Sequence, residues 1–237
     1  MRYALIGDLH GNAVATETLE KELKRKEIDK IICLGDFIGK GPSNAYTVDW
    51  TFANCDYIIG GNWEYTILSK IFPADKVYHD QLGNARLKKI ENLPKELTFT
   101  LSGQRIRCIH GRPIMKKMLT IQNDKDEFRP LFTNENNEKV DILCYADTHR
   151  QGLRTFSFGM VINSGSVGNA LGIPKVCYCI LNGENSKDIS AIDFTFCQAP
   201  YDNNLAIEHA LDTPEINHIH CYINEIKTGK YSRKYLK

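Results

Sequence analysis

The order of apolar runs and turns predicts an α/β fold in which two β-sheets stack and helices flank them. Three observations carry that prediction. The first sixty residues read strand, helix, strand, helix, strand, the pitch of a parallel βαβ start. Leu97–Leu101 and Arg105–Ile109 read as a hairpin around Ser102-Gly103. Asp141–Tyr145, Phe158–Ile162 and Val176–Ile180 are further strand-like runs, expected to complete a second sheet with that hairpin.

Tyr3–Ile6 is a short apolar run stopped by Gly7-Asp8, and reads as a buried first strand. Ala13–Glu27 follows with Ala15, Leu19 and Leu23 at helical spacing. Its Lys21–Lys26 stretch is interleaved with Glu17, Glu20, Glu22 and Glu27, which marks a solvated helix face. Lys30–Leu34 is the second strand, Ala45–Ala53 the second helix, and Tyr57–Ile59 the third strand before Gly60-Gly61. The polar stretch between His110 and Asp141 is long for a loop, and is expected to be a lid or poorly ordered. The part beyond Ile192 alternates strand-like and helical patches and carries no recognisable chemistry. One domain is expected over residues 1–237, with a core of about 1–180 and a segment 181–237 that completes or covers it.

Composition narrows the function classes. Of 237 residues, 30 are Lys or Arg and 29 Asp or Glu, for a formal net charge of +1, which argues against general nucleic-acid or membrane-surface binding. The first apolar run is too short for a signal peptide, and no run approaches the length of a membrane span. The eight cysteines sit mainly within strand-like runs such as Ile31-Ile32-Cys33-Leu34, with no Cys-x-x-Cys, as expected of reduced thiols in a cytoplasmic protein.

Five polar clusters punctuate the chain, each at the end of an apolar run. They are Gly7-Asp8-Leu9-His10-Gly11-Asn12, Gly35-Asp36, Gly61-Asn62-Trp63-Glu64, His110-Gly111 and Thr148-His149. Together they offer Asp, His, Asp, Asn, His and His, a mixed oxygen and nitrogen set that suits Mn²⁺, Fe or Zn²⁺. In an open parallel sheet, such residues gather at the carboxyl ends of the strands. The bland alternative is that Asp8 and Asp36 merely cap the helices that follow them.

The ordered set resembles the signature of the calcineurin-like metallophosphoesterases over roughly residues 1–180. Gly39-Lys40-Gly41-Pro42 and Asn163-Ser164-Gly165-Ser166-Val167-Gly168 resemble the branch of small, single-domain bacterial and archaeal phosphoesterases. The resemblance implies a four-layer α-β-β-α sandwich of two mixed β-sheets flanked by helices. It implies two divalent ions, Mn²⁺ first, with Fe, Zn²⁺ or Mg²⁺ as alternatives. Asp8, His10, Asp36 and His149 would hold one ion, and the bridging Asp36 with Asn62 and His110 the other. Asp36, Asn62 and His110 are the implied catalytic residues, with a metal-bridging hydroxide as nucleophile. The implied substrate is a small phosphodiester, a nucleotide or a dinucleoside polyphosphate.

Two departures qualify the resemblance. Asp147 stands where a second-metal histidine is expected; a carboxylate is a competent hard ligand that adds a negative charge. Trp63 stands where a histidine would protonate the leaving group, and indole is no proton donor at neutral pH, so activated leaving groups are expected. Asn12, Trp63, Arg112 and Arg150 are candidate substrate contacts, the arginines because guanidinium grips phosphate bidentately. Ordinary alternatives stand beside them: a helix cap for Asn12, a packed aromatic for Trp63, and surface positions for the arginines. Two other functional readings rest on fewer residues. One is a metal-poor scaffold that acts through protein partners, favoured only by Asp147 and Trp63. The other is a phosphoprotein phosphatase, weakened by Trp63 and Lys40.

Overall fold

A computed structural model describes residues 1–69 and 73–233. The first strand, β1 (Arg2–Ile6), is buried along nearly its whole length because it pairs on both edges and is covered on both faces. It runs parallel to β2 (Lys30–Cys33), which runs parallel to the short β3 (Tyr57–Ile58). Helices α1 (Ala13–Arg25) and α2 (Asn44–Asn54) make these two crossovers. Beyond β3 come α3 (Asn62–Ser69) and α4 (Lys76–Glu91).

The hairpin is formed by β4 (Glu96–Leu101) and β5 (Gln104–Ile109). Next come β6 (Ile142–Tyr145), β7 (Gln151–Phe156) and β8 (Gly159–Ser164), which assemble with the hairpin in the order β4-β5-β6-β8-β7. β5, β6 and β8 are mutually parallel, and the two outer strands are antiparallel to their neighbours.

One expected placement is corrected. The Val176 run, here β9 (Val176–Asn182), joins the first sheet, antiparallel to β1, and β10 (Asp193–Ala199) extends that sheet by one more strand. A strand buried on both faces carries no alternation that could reveal its neighbour, so the choice of sheet was settled by pairing alone. The first sheet therefore reads β10-β9-β1-β2-β3.

The result is two mixed five-stranded sheets flanked by helices. Leu5, Ile32 and Leu181 from the first sheet meet Ile106, Ile142 and Ile162 from the second in the core between them. The other face of the first sheet is covered by the helices, through Leu19, Leu23, Val48 and Tyr78.

The stretch after His110 is a second correction. Although polar in composition, it packs Met115, Leu119, Phe128 and Phe132 onto Leu143, Tyr145 and Val161. It thus forms the outer cover of the second sheet, with only the four-residue helix α5 (Lys125–Phe128) and a following 3₁₀ turn as regular structure. Four buried apolar anchors suffice to fix an otherwise hydrophilic segment. Arg107, 5 % exposed, holds the segment further: its Nη1 donates to the Leu131 and Thr133 carbonyls at 2.7 Å, and its guanidinium pairs with Glu96.

The last elements, α6 (Asn203–Leu211) and α7 (Ile219–Thr228), pack on each other and on α1 through Ala206, Ala210, Tyr222 and Val14. The last four residues of the segment expected to complete the core, 234–237, lie outside the described residues. Among the described residues, no helix is long and apolar enough to cross a membrane.

Candidate metal centre

All the parallel strands deliver their carboxyl ends to one edge of the sandwich. Asp8 and His10 follow β1, Asp36 follows β2, Asn62 opens α3 after β3, His110 follows β5, and Asp147 and His149 follow β6. Side chains from both sheets thereby converge on one spot, although up to 141 positions separate Asp8 from His149.

The backbone there is unusual. Ten non-glycine residues among those described have positive φ, and five are Asp8, His10, Asp36, Asp147 and His149. Lys40, at φ 57°, is a sixth residue of the same site. Left-handed backbone is disfavoured for residues with a Cβ, least so for Asp, Asn and His, and persists where surrounding structure over-determines it. Here it aims the ligand candidates inward from tight turns. Gly61 serves by having no side chain: a Cβ there would collide with the Asp36 carboxylate.

Three histidines share one arrangement. Nδ1–H of His10 donates to the Ile38 carbonyl at 3.1 Å, that of His110 to Leu34 at 2.7 Å, and that of His149 to Asn169 at 2.6 Å. With Nδ1 committed to a carbonyl, each neutral ring presents a bare Nε2 to the interior, the tautomer a metal ligand needs.

The Nε2 atoms of His10 and His149 lie 3.2 Å apart, and 3.7 and 3.5 Å from Asp8 Oδ1. His110 Nε2 lies 3.9 Å from the same oxygen and 3.2 Å from Asp36 Oδ2, which is 3.8 Å from His10 Nε2. Two groups with metal-ligating geometry result: Asp8, His10 and His149, and Asp8, Asp36 and His110. Asp8 belongs to both, while Asp36 Oδ2 lies between His10 and His110.

The capping alternative fails for Asp8, whose two carboxylate oxygens are buried without a hydrogen bond. Asp36 commits one oxygen, Oδ1, to the Trp63 N–H at the start of α3 (2.9 Å), leaving Oδ2 for the cluster. Asn62 Oδ1 and His110 Nε2 are also buried without a hydrogen-bond partner. Such orphaned polar atoms are costly unless something satisfies them. A divalent cation would satisfy them, so the residues fit the implied ions.

Titration behaviour agrees. Burial raises the Asp8 carboxyl well above its usual range, with Asp36 adding to the rise against His110. Burial, then the charge of Lys40, lowers His10 and His149. Burial acts on His110 in the same sense, but the Asp36, Asp8 and Asp147 carboxylates overcome it and raise that imidazole. In the metal-free molecule the His110 proton thus supplies positive charge that a cation would otherwise bring, so cation binding should release protons.

Asp147 sits 3.9 Å from His110 Nε2 through Oδ1, and Arg112 grips its carboxylate, Nε at 3.0 and 3.1 Å and Nη2 at 2.5 Å. Arg112 therefore reaches the cluster as the partner of a carboxylate. Arg150 is exposed beside the cluster. Asn12 is turned to structural work: its Oδ1 accepts from the Ala15 N–H at 3.0 Å, capping α1, and its amide donates to the Gly168 carbonyl at 2.9 Å. Trp63 packs against Gly39, His10 and Tyr78 and lines the cavity over the cluster.

Glu64 and Lys40, which sequence reasoning did not assign to the site, complete it together with the turn at Asn163–Ser166. Glu64 is fully buried; its Oε2 accepts from the N–H groups of Asp36 (2.8 Å) and Gly61 (2.7 Å), and its Oε1 from Ile38 (3.2 Å). One carboxylate thereby ties together two ligand-bearing turns, and burial with the Asp36 charge pushes it up to about 7. The position had a signal: an acidic residue three places into a helix start, reaching back to its N-terminal N–H. Lys40, 6 % exposed, donates from Nζ to Asn169 Oδ1 at 2.8 Å and lies 3.3 Å from His149 Nε2. Burial, opposed by Glu225, brings Lys40 down to about 8. The turn at Asn163–Ser166 braces the site from behind: Asn163 Nδ2 donates to the Ala146 carbonyl (2.6 Å), and Ser166 Oγ to that of Asp8 (2.8 Å).

The sequence pattern of the calcineurin-like phosphoesterase superfamily domain matches residues 1–186. The chain belongs to that family. An uncharacterized protein of Methanocaldococcus jannaschii is 24 % identical over 213 residues, spanning 78 % of this chain and 84 % of the relative. Among solved structures, a hypothetical protein from Pyrococcus horikoshii OT3 superposes with a TM-score of 0.77 at 18 % identity, covering 98 % of this chain and 99 % of the other. A metallophosphoesterase from Sphaerobacter thermophilus gives 0.73 at 20 % identity, covering 97 % and 99 %. The phosphoesterase YfcE from E. coli gives 0.51 at 19 % identity, covering 81 % and 98 %. These likenesses establish the fold.

Proposed function

We propose that this chain is a hydrolase of phosphoester or phosphoanhydride bonds in small phosphorylated substrates and works with two divalent cations, Mn²⁺ first among them. The observation that carries the reading is the convergence of three imidazole Nε2 atoms on buried carboxylates, each ring fixed by its Nδ1–H, with Asp8 and Asn62 acceptors left unsatisfied. Asp8, His10, Asp36 and His149 would hold one cation, and Asp36, Asn62, His110 and Asp147 the other. Cations so held supply Lewis acidity toward phosphoryl oxygens and acidify coordinated water.

The chain's own residues do the rest. In this assignment Asp36 would be the shared ligand, with its Oδ2 3.8 Å from His10 Nε2 and 3.2 Å from His110 Nε2 and its Oδ1 fixed to α3. Arg112 offsets the extra charge of Asp147. Lys40 and Arg150 add positive charge around a cavity of about 620 Å³, ample for a nucleotide-sized ligand. Trp63 contributes an apolar wall where a proton donor would stand, so leaving groups depart as anions. The near-neutral net charge supports a small substrate over a nucleic acid or a membrane. The cysteines, none of them in a disulfide, support a reducing, cytoplasmic setting. We also read the chain as one domain, because β10 extends the first sheet and α6 packs on α1.

The test is Asp36→Asn in Mn²⁺-supplemented protein, with metal content by mass spectrometry and turnover of bis(p-nitrophenyl) phosphate. We expect loss of both ions and a fall in turnover of roughly 100-fold or more, beyond what loss of a supporting outer residue produces. Near-wild-type turnover with full metal loading would overturn the assignment. A wild-type protein that takes up no metal would favour the metal-poor scaffold, for which the Arg112–Asp147 clamp is the structural argument.

A further inference from the structure

The family pattern ends at residue 186, yet part of the wall over the metal cluster comes from the other end of the chain. After α7 the backbone turns on Gly229, whose φ of 66° is the left-handed C-terminal cap that glycine supplies cheaply. The Gly229 carbonyl accepts from the Gly172 N–H at 2.7 Å, and the segment folds back along α7. The Ser232 N–H donates to Glu225 Oε1 at 3.0 Å. This arm brings Tyr231 and Arg233 into the cavity that also exposes Asp36, Asn62, Lys40 and Trp63.

Arg233 is largely buried, with 13 % of its side chain exposed, and its guanidinium lies 6.0 Å from the Trp63 ring centroid. Its Nε and Nη2 are buried without a hydrogen-bond partner among the described residues, and the exposed remainder of the side chain lines the cavity. The nearest carboxylate is the fully buried Glu225, whose Oε2 is 3.8 Å from Nε and is equally without a hydrogen bond. Arg112 is matched by Asp147, Arg233 stands 3.8 Å from Glu225, and Lys40 faces Glu225, Asp8 and Asp36; with four Lys or Arg side chains lining the cavity against three Asp, the lining keeps one surplus positive charge.

We propose that the arm Gly229–Arg233 sets Arg233 beside Lys40 as a second phosphate subsite next to the metal cluster, and that the substrate is a phosphoanhydride carrying a phosphate beyond the one attacked. The substrate class rests on the hydrolase reading above; the subsite itself does not. In the reaction, one P–O bond forms from water and the P–O–P bridge breaks. The water's proton passes to solvent, and the leaving phosphate departs as an anion. Guanidinium does not give up a proton, so Arg233 acts by holding that negative charge. This suits a site in which Trp63 replaces the usual acid.

The test uses the full, metal-loaded chain with Arg233→Ala and Arg233→Lys, and compares kcat/KM for ADP with that for bis(p-nitrophenyl) phosphate. Removal of one charge-assisted contact should lower the ADP-to-diester ratio by about 10- to 100-fold. The loss should fall mainly on KM, and Arg233→Lys should restore part of it. If Arg233 only braces Glu225, Arg233→Ala lowers the melting temperature and leaves the ratio unchanged, which overturns the proposal. Should the wild type hydrolyse neither compound, the hydrolase reading falls, and calorimetry with imidodiphosphate on metal-free protein judges the subsite. Binding about 10-fold weaker in Arg233→Ala than in wild type sustains it. Equal binding, or no binding in either, refutes it.

Discussion

Replacing Glu64 with glutamine changes one atom in a buried carboxylate, and its effect can be worked from three hydrogen bonds. In the wild type the N–H groups of Asp36 and Gly61 share Oε2, and that of Ile38 reaches Oε1. Glutamine can keep the first two on its carbonyl oxygen but must point its amide at the Ile38 N–H. One buried donor is then orphaned, at roughly 1–3 kcal/mol. Ionisation of the carboxyl works the other way and depends on pH. The Glu64 carboxyl is raised from 4.5 to about 7 by burial and by Asp36. Between those values the native state holds a proton that the unfolded chain gives up. The associated stability is fully present below about pH 4.5 and is lost as pH rises through about 7. A shift of that size corresponds to ~3 kcal/mol. Urea unfolding of the metal-free protein from pH 4.5 to 7.5 reads this directly. We predict that wild-type stability minus that of Glu64→Gln falls by ~3 kcal/mol across the window. Metal-free protein is required because a cation beside Asp36 would favour the ionised carboxylate. A difference that stays flat over the whole range would show that Glu64 titrates as an ordinary surface acid, and the reasoning from burial would be wrong. Because Glu64 fixes the turns that carry Asp36 and Asn62, the variant should also bind metal roughly 10–100-fold more weakly.

Two further predictions concern the cluster. Asp147→Ala should lower occupancy of one cation while leaving the Asp8, His10 and His149 group filled, and Asp147→His should shift preference toward softer ions such as Zn²⁺; unchanged stoichiometry and preference in both would mean that Asp147 serves only Arg112. With Trp63 in place of a proton donor, aryl diesters and nucleoside polyphosphates should outpace phosphoserine peptides by roughly 10²–10⁴-fold, the usual contribution of general acid catalysis; comparable rates on phosphoserine would reveal another donor.

The family and the ligand candidates were legible in the chain because they are local. Each candidate follows an apolar run at a turn, and tight turns at strand ends have a narrow vocabulary of Gly, Asp, Asn and His. The parallel βαβ start and the β4–β5 hairpin were legible for the same reason: their pairing partners are neighbours in sequence. The placement of β9 was not legible, since a strand buried on both faces fits either sheet, and only its long-range pairing with β1 decides. Nor was the packed state of the stretch after His110, whose four anchors are diluted among charged residues.

What each polar residue does was decided by tertiary structure. Asn12 could cap a helix or meet a phosphate, and the approach of Gly168 committed it to the first. Arg112 and Asp147 stand 35 positions apart, and their pairing exists only because β5 and β6 lie side by side. Glu64 stands in the sequence only as the last residue of a polar cluster, and folding sets it, buried, beneath two ligand turns. Arg233 gave no signal at all, standing in a basic stretch far from every cluster, and reaches the site through α7 and the turn at Gly229. Turn chemistry is written within a few residues, whereas the charge balance of a buried site is a sum over side chains that only folding brings together.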